Sequence, residues 1–212
     1  MTERREEILS LAADMFAERG FGSTTVREIA DGAGILSGSL YHHFDSKESM
    51  IEEILSTFLD EFAAKAQAVV DEGGDPPEVL QKLVTLAFAA VAEDATAVAV
   101  MQNEVGFLLQ FPRFAFLRKR ADEAEHLWVG VLESGVKSGA FRRDLEPRLA
   151  YRFIRDAIWI TVRWYRPGGR RTIDEIRDSY LAMLLDGITA DRRRGGPVAR
   201  ARPSPPRRRR RG

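Results

Sequence analysis

Two stretches of the chain carry side chains arranged for chemistry on a partner molecule. Ser37, Gly38, Ser39, Tyr41 and His42 gather two hydroxyls, a phenol and an imidazole around a residue that has no side chain. Small residues permit close approach, and the polar groups reach phosphate oxygens and base edges, as reading a DNA major groove requires. The second stretch is 151–166, YRFIRDAIWITVRWYR, in which Arg152, Arg155, Trp159, Arg163 and Arg166 are spaced 3, 4, 4 and 3. At ~100° per residue this row shares an arc of roughly 80° on one side of a helix. Phe153, Ile154, Ile158, Ile160 and Trp164 occupy the other sides, so the pattern predicts a largely buried helix. Arginines there need anionic or planar partners. One set is internal: Glu104, Asp122, Glu123 and Glu125 on neighbouring helices could neutralise the row. The other is a ligand with phosphate or carboxylate groups and a flat ring. Arg155 and Trp159, four residues apart, could clamp it by charge-assisted hydrogen bonds and stacking.

Catalysis finds no support in the residues. The histidines are His42, His43 and His126, and an adjacent pair on a helix points about 100° apart, poorly placed for one metal. There is no HExxH spacing, nucleophile elbow, phosphate-cradling glycine loop or cysteine. The reading is of a protein with no catalytic residue, metal ligand or cofactor.

The groove-reading residues need a scaffold, and the segment around them supplies one. Thr25 and Glu28 have capping-box spacing. Val26, Ile29, Ala30 and Ala33 then fall at i, i+3, i+4 and i+7, and Gly32 and Gly34 bracket the end of that helix. Ser37 is placed to cap a second helix, Gly38 to about His43, with Leu40 and Phe44 turned inward. Two short helices joined by a glycine-containing turn are a helix-turn-helix. A preceding helix, Arg4–Arg19, carries the stripe Ile8, Leu11, Ala12, Met15 and Phe16, which backs the pair.

The stretch TTVREIADGAGILSGSLYHHFDSK (24–47) resembles the TetR family of one-component regulators, whose pattern T-x-x-x-IA-x-x-AG-[VI]-S-x-G-x-LYxHF-x-SK it nearly meets. The departure is Leu36, which pushes the capping serine to Ser37. The resemblance implies an all-α fold and a DNA-facing role for Thr25, Arg27, Ser37, Ser39, Tyr41, His42 and Lys47, with Gly38 among them on the reading face. It also implies a homodimer whose last two helices, about 148–166 and 172–190, pair with their symmetry mates, and a palindromic double-stranded operator. GAGILSGSLYHHF, FPRF and YRFIRDAIW-x-x-VRWYRPGG look like the KstR-type repressors of actinobacteria, in the subgroup controlling late steps of cholesterol ring catabolism. That subgroup responds to a coenzyme A thioester of a sterol with rings C and D remaining. By matching position, Arg155 and Trp159 lead the candidates for ligand contact, followed by Arg152, Arg163, Trp128, Met101, Gln102 and Phe107.

From Ser46 onward the remaining pattern is helical throughout. Ser46 starts a long fourth helix, ended by GGDPPE (73–78), where Pro76 and Pro77 suit a helix start. Apolar runs follow from about Glu78 to Ala92, Ala95 to Leu109, Phe114 to Ser138 and Leu149 to Tyr165, and Thr172 with Glu175 caps the last helix. The expected division is a helix-turn-helix domain over 1–46, a ligand-binding and dimerisation domain over 47–190, and a disordered basic tail over 191–212.

Charge opposes part of this reading. Lys+Arg and Asp+Glu are 32 each, but ten of the cations lie in 192–212, so residues 1–190 carry 22 cations against 31 acids. Even residues 1–50 hold five Lys+Arg against nine Asp+Glu, whereas a DNA-binding domain ordinarily shows a basic footprint. Helix N-termini near Thr25, Gly38 and Lys47 add positive potential without formal charge. The N-terminus lacks the apolar run of a signal peptide and no stretch approaches ~18 uncharged apolar residues, so the expectation is a cytoplasmic protein with no membrane partner. Competing readings are a TetR-type repressor of a fatty acyl-CoA, a drug or a flavonoid, and an architectural DNA binder that senses nothing.

Overall fold

A computed structural model describes residues 3–189; the basic tail lies outside the described residues. The elements are α1 (Glu3–Arg19), α2 (Val26–Gly32), α3 (Ser37–Leu40), α4 (Lys47–Asp71), α5 (Pro76–Glu93), α6 (Ala95–Leu108), α7 (Ala115–Ser138), α8 (Pro147–Trp159) and α9 (Ile173–Ile188). Short 3-10 turns, Pro112–Phe114 and Ile160–Arg163, precede α7 and follow α8. The fold is all-α, and the single β-type pairing among the described residues is an isolated bridge between Phe141 and Thr189.

The helix limits have local causes. Thr25, Ser46 and Thr172 each accept a hydrogen bond from the third amide of the helix they open, closing capping boxes with Glu28, Ser49 and Glu175. Pro76 and Pro77 occupy the first positions of α5. Gly34, at φ +67°, lets α2 end with the Ile35 amide donating to Ala30 O at 3.0 Å and the Gly34 amide to Asp31 O at 3.1 Å.

Two apolar cores result. The first gathers Ile8, Phe16, Ile29 and Leu40 from α1–α3, Phe44 just after α3, Met50, Ile51, Ile54 and Leu55 from α4, and also Val100, Leu108, Phe114 and Leu117. The reading head is therefore packed onto α6 and the start of α7. The second core is built from α4–α9 around Leu80, Leu83, Val91, Leu132 and Ile158. Leu59, Ala97 and Met101 pack against both, and α7 gives Leu117 to the first and Leu132 to the second, so α4, α6 and α7 span the two cores.

One glycine is required for packing. A methyl group added at Gly135 would lie 2.1 Å from Phe141 Cδ2, and Phe141 is fully buried. Gly135→Ala is expected to cost about 1–3 kcal/mol by overpacking, measured as a lower urea midpoint with unchanged slope.

α8 departs from its expected form. The sequence pattern extends it to Tyr165, but the α-helix stops at Trp159 and tightens into a 3-10 turn. Buried Thr161 turns its hydroxyl back on Ala157 O at 3.1 Å, and Trp164 and Tyr165 both donate to Thr161 O. A 3-10 turn advances about 120° per residue, so the arginine row loses its common face after Trp159. Nor is the segment largely buried, because Phe153, Ile160 and Trp164 are exposed.

Candidate functional site

The loop and helices at the reading head are held from beneath. The Phe21 amide donates to Glu104 Oε1 on α6 at 3.0 Å. Lys47 Nζ donates to Phe21 O and Thr24 O, both at 2.7 Å, and sits 4.3 Å from the Phe21 ring centre. Buried Thr24 closes the turn through its hydroxyl to Gly20 O at 2.9 Å. The ammonium expected to face DNA is thus occupied inside the head, where it fixes the turn that presents α2.

The residues expected to read the groove lie at or near the surface. Thr25, Arg27, Gly38, Tyr41 and His42 are exposed, and Ser37 and Ser39 are half-buried. Arg27 has Asp31 one turn away, with Nε 3.8 Å from a carboxylate oxygen. Ser37 is not the cap: Leu36 holds that position, with no side-chain hydrogen bond, because its side chain has no acceptor. α3 is consequently a single turn, and its path continues to Phe44 through bonds such as Phe44 N to Leu40 O at 3.0 Å.

Glu28 is held below the ordinary carboxylate range by hydrogen bonds from the Thr25 hydroxyl and amide. A carboxyl depressed in the folded state stabilises above its unfolded pKa and loses that contribution as pH falls through the folded value. Thr25→Ala is expected to lower stability by about 1 kcal/mol at neutral pH, and the deficit narrows in acid as Glu28 protonates. Chemical denaturation at several pH values checks this.

A second candidate site is a cavity of about 380 Å³ bounded by α4–α8. Phe58, Phe62, Leu117 and Ile158 supply apolar wall, while Gln102, Arg120, Tyr151, Arg155 and Asp156 are its polar lining. Arg155 Nε donates to Asp156 at 2.8 Å, and its guanidinium lies 5.6 Å from the Tyr151 ring centre. Burial opposes the Arg155 charge, but the hydrogen bond and attraction of Asp156 keep its pKa raised. Burial pushes the Tyr151 phenol above its ordinary value, so it stays a neutral donor. Trp159 meets Phe58 and Phe62 edge-on, with ring centres 6.2 and 5.3 Å away.

Of the eight ligand candidates, five line this cavity: Arg155, Trp159, Trp128, Met101 and Gln102. Arg152 and Arg163 are exposed outside it, the latter carried off by the 3-10 turn, and Phe107 packs on Phe111 at the surface. Of the four internal carboxylates, Glu104 is held by the Phe21 amide and Glu123 pairs with Arg120 and Lys119, while the carboxylate that pairs with Arg155 is its neighbour Asp156. Arg120, Tyr151, Phe58 and Phe62 are lining residues that spacing did not reveal.

Residues 8–54 match the family model for bacterial regulatory proteins of the tetR family, and 73–188 match the tetracyclin repressor-like C-terminal domain. The chain belongs to the TetR family. It is similar to the HTH-type transcriptional repressor KstR2 of Rhodococcus jostii, 52% identical over 88% of this chain and 92% of that one. The structure of the ketosteroid transcriptional regulator KstR2 of Mycobacterium tuberculosis superposes with a TM-score of 0.87, at 49% identity, covering 90% of this chain and 97% of that one. AibR, solved in complex with isovaleryl coenzyme A and operator DNA, shares the fold with a TM-score of 0.78 at 24% identity, covering 86% and 98%. This TetR-family protein is a ligand-responsive repressor and not an enzyme. Among its described residues no single helix is long and apolar enough to cross a membrane.

Proposed function

We propose that this repressor binds a palindromic operator as a homodimer and is released by a coenzyme A thioester of a partly degraded sterol. The cavity carries the reading. Its volume of about 380 Å³ lies within the usual span for small-molecule sites, and it pairs aromatic walls with arginines. Arg155 and Arg120 keep 41% and 34% of their side chains exposed, so both stand where a charged group reaches them from solvent. A ring remnant fits the apolar wall, and phosphates compete with Asp156 for Arg155. The names of the relatives, KstR2 and ketosteroid regulator, support the sterol class. AibR, which has this fold, holds an acyl-CoA.

On the DNA side, Thr25, Arg27, Ser37, Gly38, Ser39, Tyr41 and His42 make the groove and phosphate contacts, and Lys47 adds fixed positive potential from below. Two such heads one or more DNA turns apart read the half-sites. α6 connects them to the cavity, since Met101 and Gln102 line it while Glu104 holds the Phe21 amide. A ligand that fills the cavity shifts α6 and respaces the heads. Emptying the operator requires a preference of roughly 5.5 kcal/mol for the released form.

Thermal shifts against sterol-derived thioesters, fatty acyl-CoAs, free coenzyme A, drugs and flavonoids test the assignment. The largest rise is expected with the ring-bearing thioester. A rise confined to another class replaces the sterol reading with that class.

A further inference from the structure

We infer that Leu36 is a specificity-determining residue that packs against the 5-methyl group of a thymine in each half-site. The inference rests on the operator-binding reading above and adds what one side chain reads.

Single exposed leucines are ordinary on protein surfaces, so exposure alone says little. Its position singles out Leu36. It opens α3 with φ −71° and ψ 143°, the extended cap geometry, yet makes no side-chain hydrogen bond to the helix. The family pattern has a serine directly after the apolar residue at position 35, and a serine would satisfy one of the free amides. The chain forgoes that stabilisation and places a side chain that is 80% exposed, the most exposed of its large apolar residues among those described. Packing within the protomer therefore returns little for it.

The surroundings indicate what covers it. In the residues that follow, Gly38 has open space where a Cβ would point, Tyr41 is 54% exposed, and Ser37 and Ser39, which carry hydroxyls, are half-buried. An isolated apolar group among donors matches the major-groove edge of an A·T pair, where the thymine methyl lies beside hydrogen-bonding groups. Electrostatics sharpens the need. The first fifty residues hold five Lys+Arg against nine Asp+Glu, and the Lys47 ammonium is occupied by two carbonyls. Counterion release from this head is therefore modest, and contacts to base edges carry more of the affinity.

The test uses the full chain and the operator duplex recovered by selection from a random-sequence pool, with each thymine replaced in turn by uracil. For the unsubstituted protein, losing the contacted methyl is expected to weaken binding about fourfold per half-site and roughly fifteenfold when both are changed. Leu36→Ser is expected to bind the parent duplex about as weakly, to ignore those two uracils, and to keep the salt slope. It should melt no lower than the unsubstituted protein, because serine restores a cap, which separates lost reading from lost folding. Equal operator affinity of Leu36→Ser and the unsubstituted protein, or no thymine whose replacement distinguishes them, overturns the inference alone. Failure to select any duplex overturns the operator reading along with it.

Discussion

Arg155→Ala should weaken effector binding by roughly 10- to 150-fold, the range for a lost charged hydrogen bond worth about 1.5–3 kcal/mol. Operator affinity should stay as it was. The guanidinium lines the cavity and leans over Tyr151, and it is not among the residues that build the first core. Its protein partner is Asp156, its chain neighbour, so truncation severs no tie between helices and the fold persists. Calorimetry with the ring-bearing thioester and anisotropy with labelled operator separate the two effects. Equal effector affinity in mutant and parent refutes the site. Loss of operator binding without ligand shows instead that Arg155 supports the fold. Arg163→Ala serves as a control, because Arg163 lies outside the cavity and is expected to change neither quantity.

The second large effect concerns the proposed partner copy. Among the described residues, five of the nine exposed large apolar side chains fall on α8, the turn after it and α9: Leu149, Phe153, Ile160, Trp164 and Met183. Leu149 and Phe153 are one turn apart and share a face of α8. Phe153 and Met183 are exposed by 67% and 69%, and a surface of that kind is stable in water when a second copy covers it. The double change Phe153→Glu with Met183→Glu places like charges across a symmetric contact. It is expected to give monomers by scattering-coupled chromatography and to lower operator affinity by at least about 100-fold, because one head alone forfeits the effective concentration of the other. Dimers that persist with parental affinity would move the interface elsewhere.

Much of this was readable from local rules. Capping-box pairs at Thr25 and Thr172 act within one turn, so spacing sufficed to locate them. Ser37 failed as a cap because the turn reaches the helix one residue earlier, at Leu36. The arginine row failed after Trp159 because a buried threonine bends the backbone, an effect that a fixed angle per residue cannot contain. Phe58 and Phe62 show a different limit. Their spacing marks an inward face, but periodicity does not distinguish burial against protein from burial around a void. Likewise Lys47 reads as a free cation, and the two carbonyls that hold it arrive from more than twenty residues away.

The most direct measurement is the anisotropy of labelled operator held by the unsubstituted protein while a ring C/D sterol coenzyme A thioester is added. The account predicts that the signal falls to that of free DNA at stoichiometric-to-micromolar thioester, and that free coenzyme A and the free sterol acid leave it unchanged. A signal that stays high although the thioester binds and raises the melting temperature would contradict it.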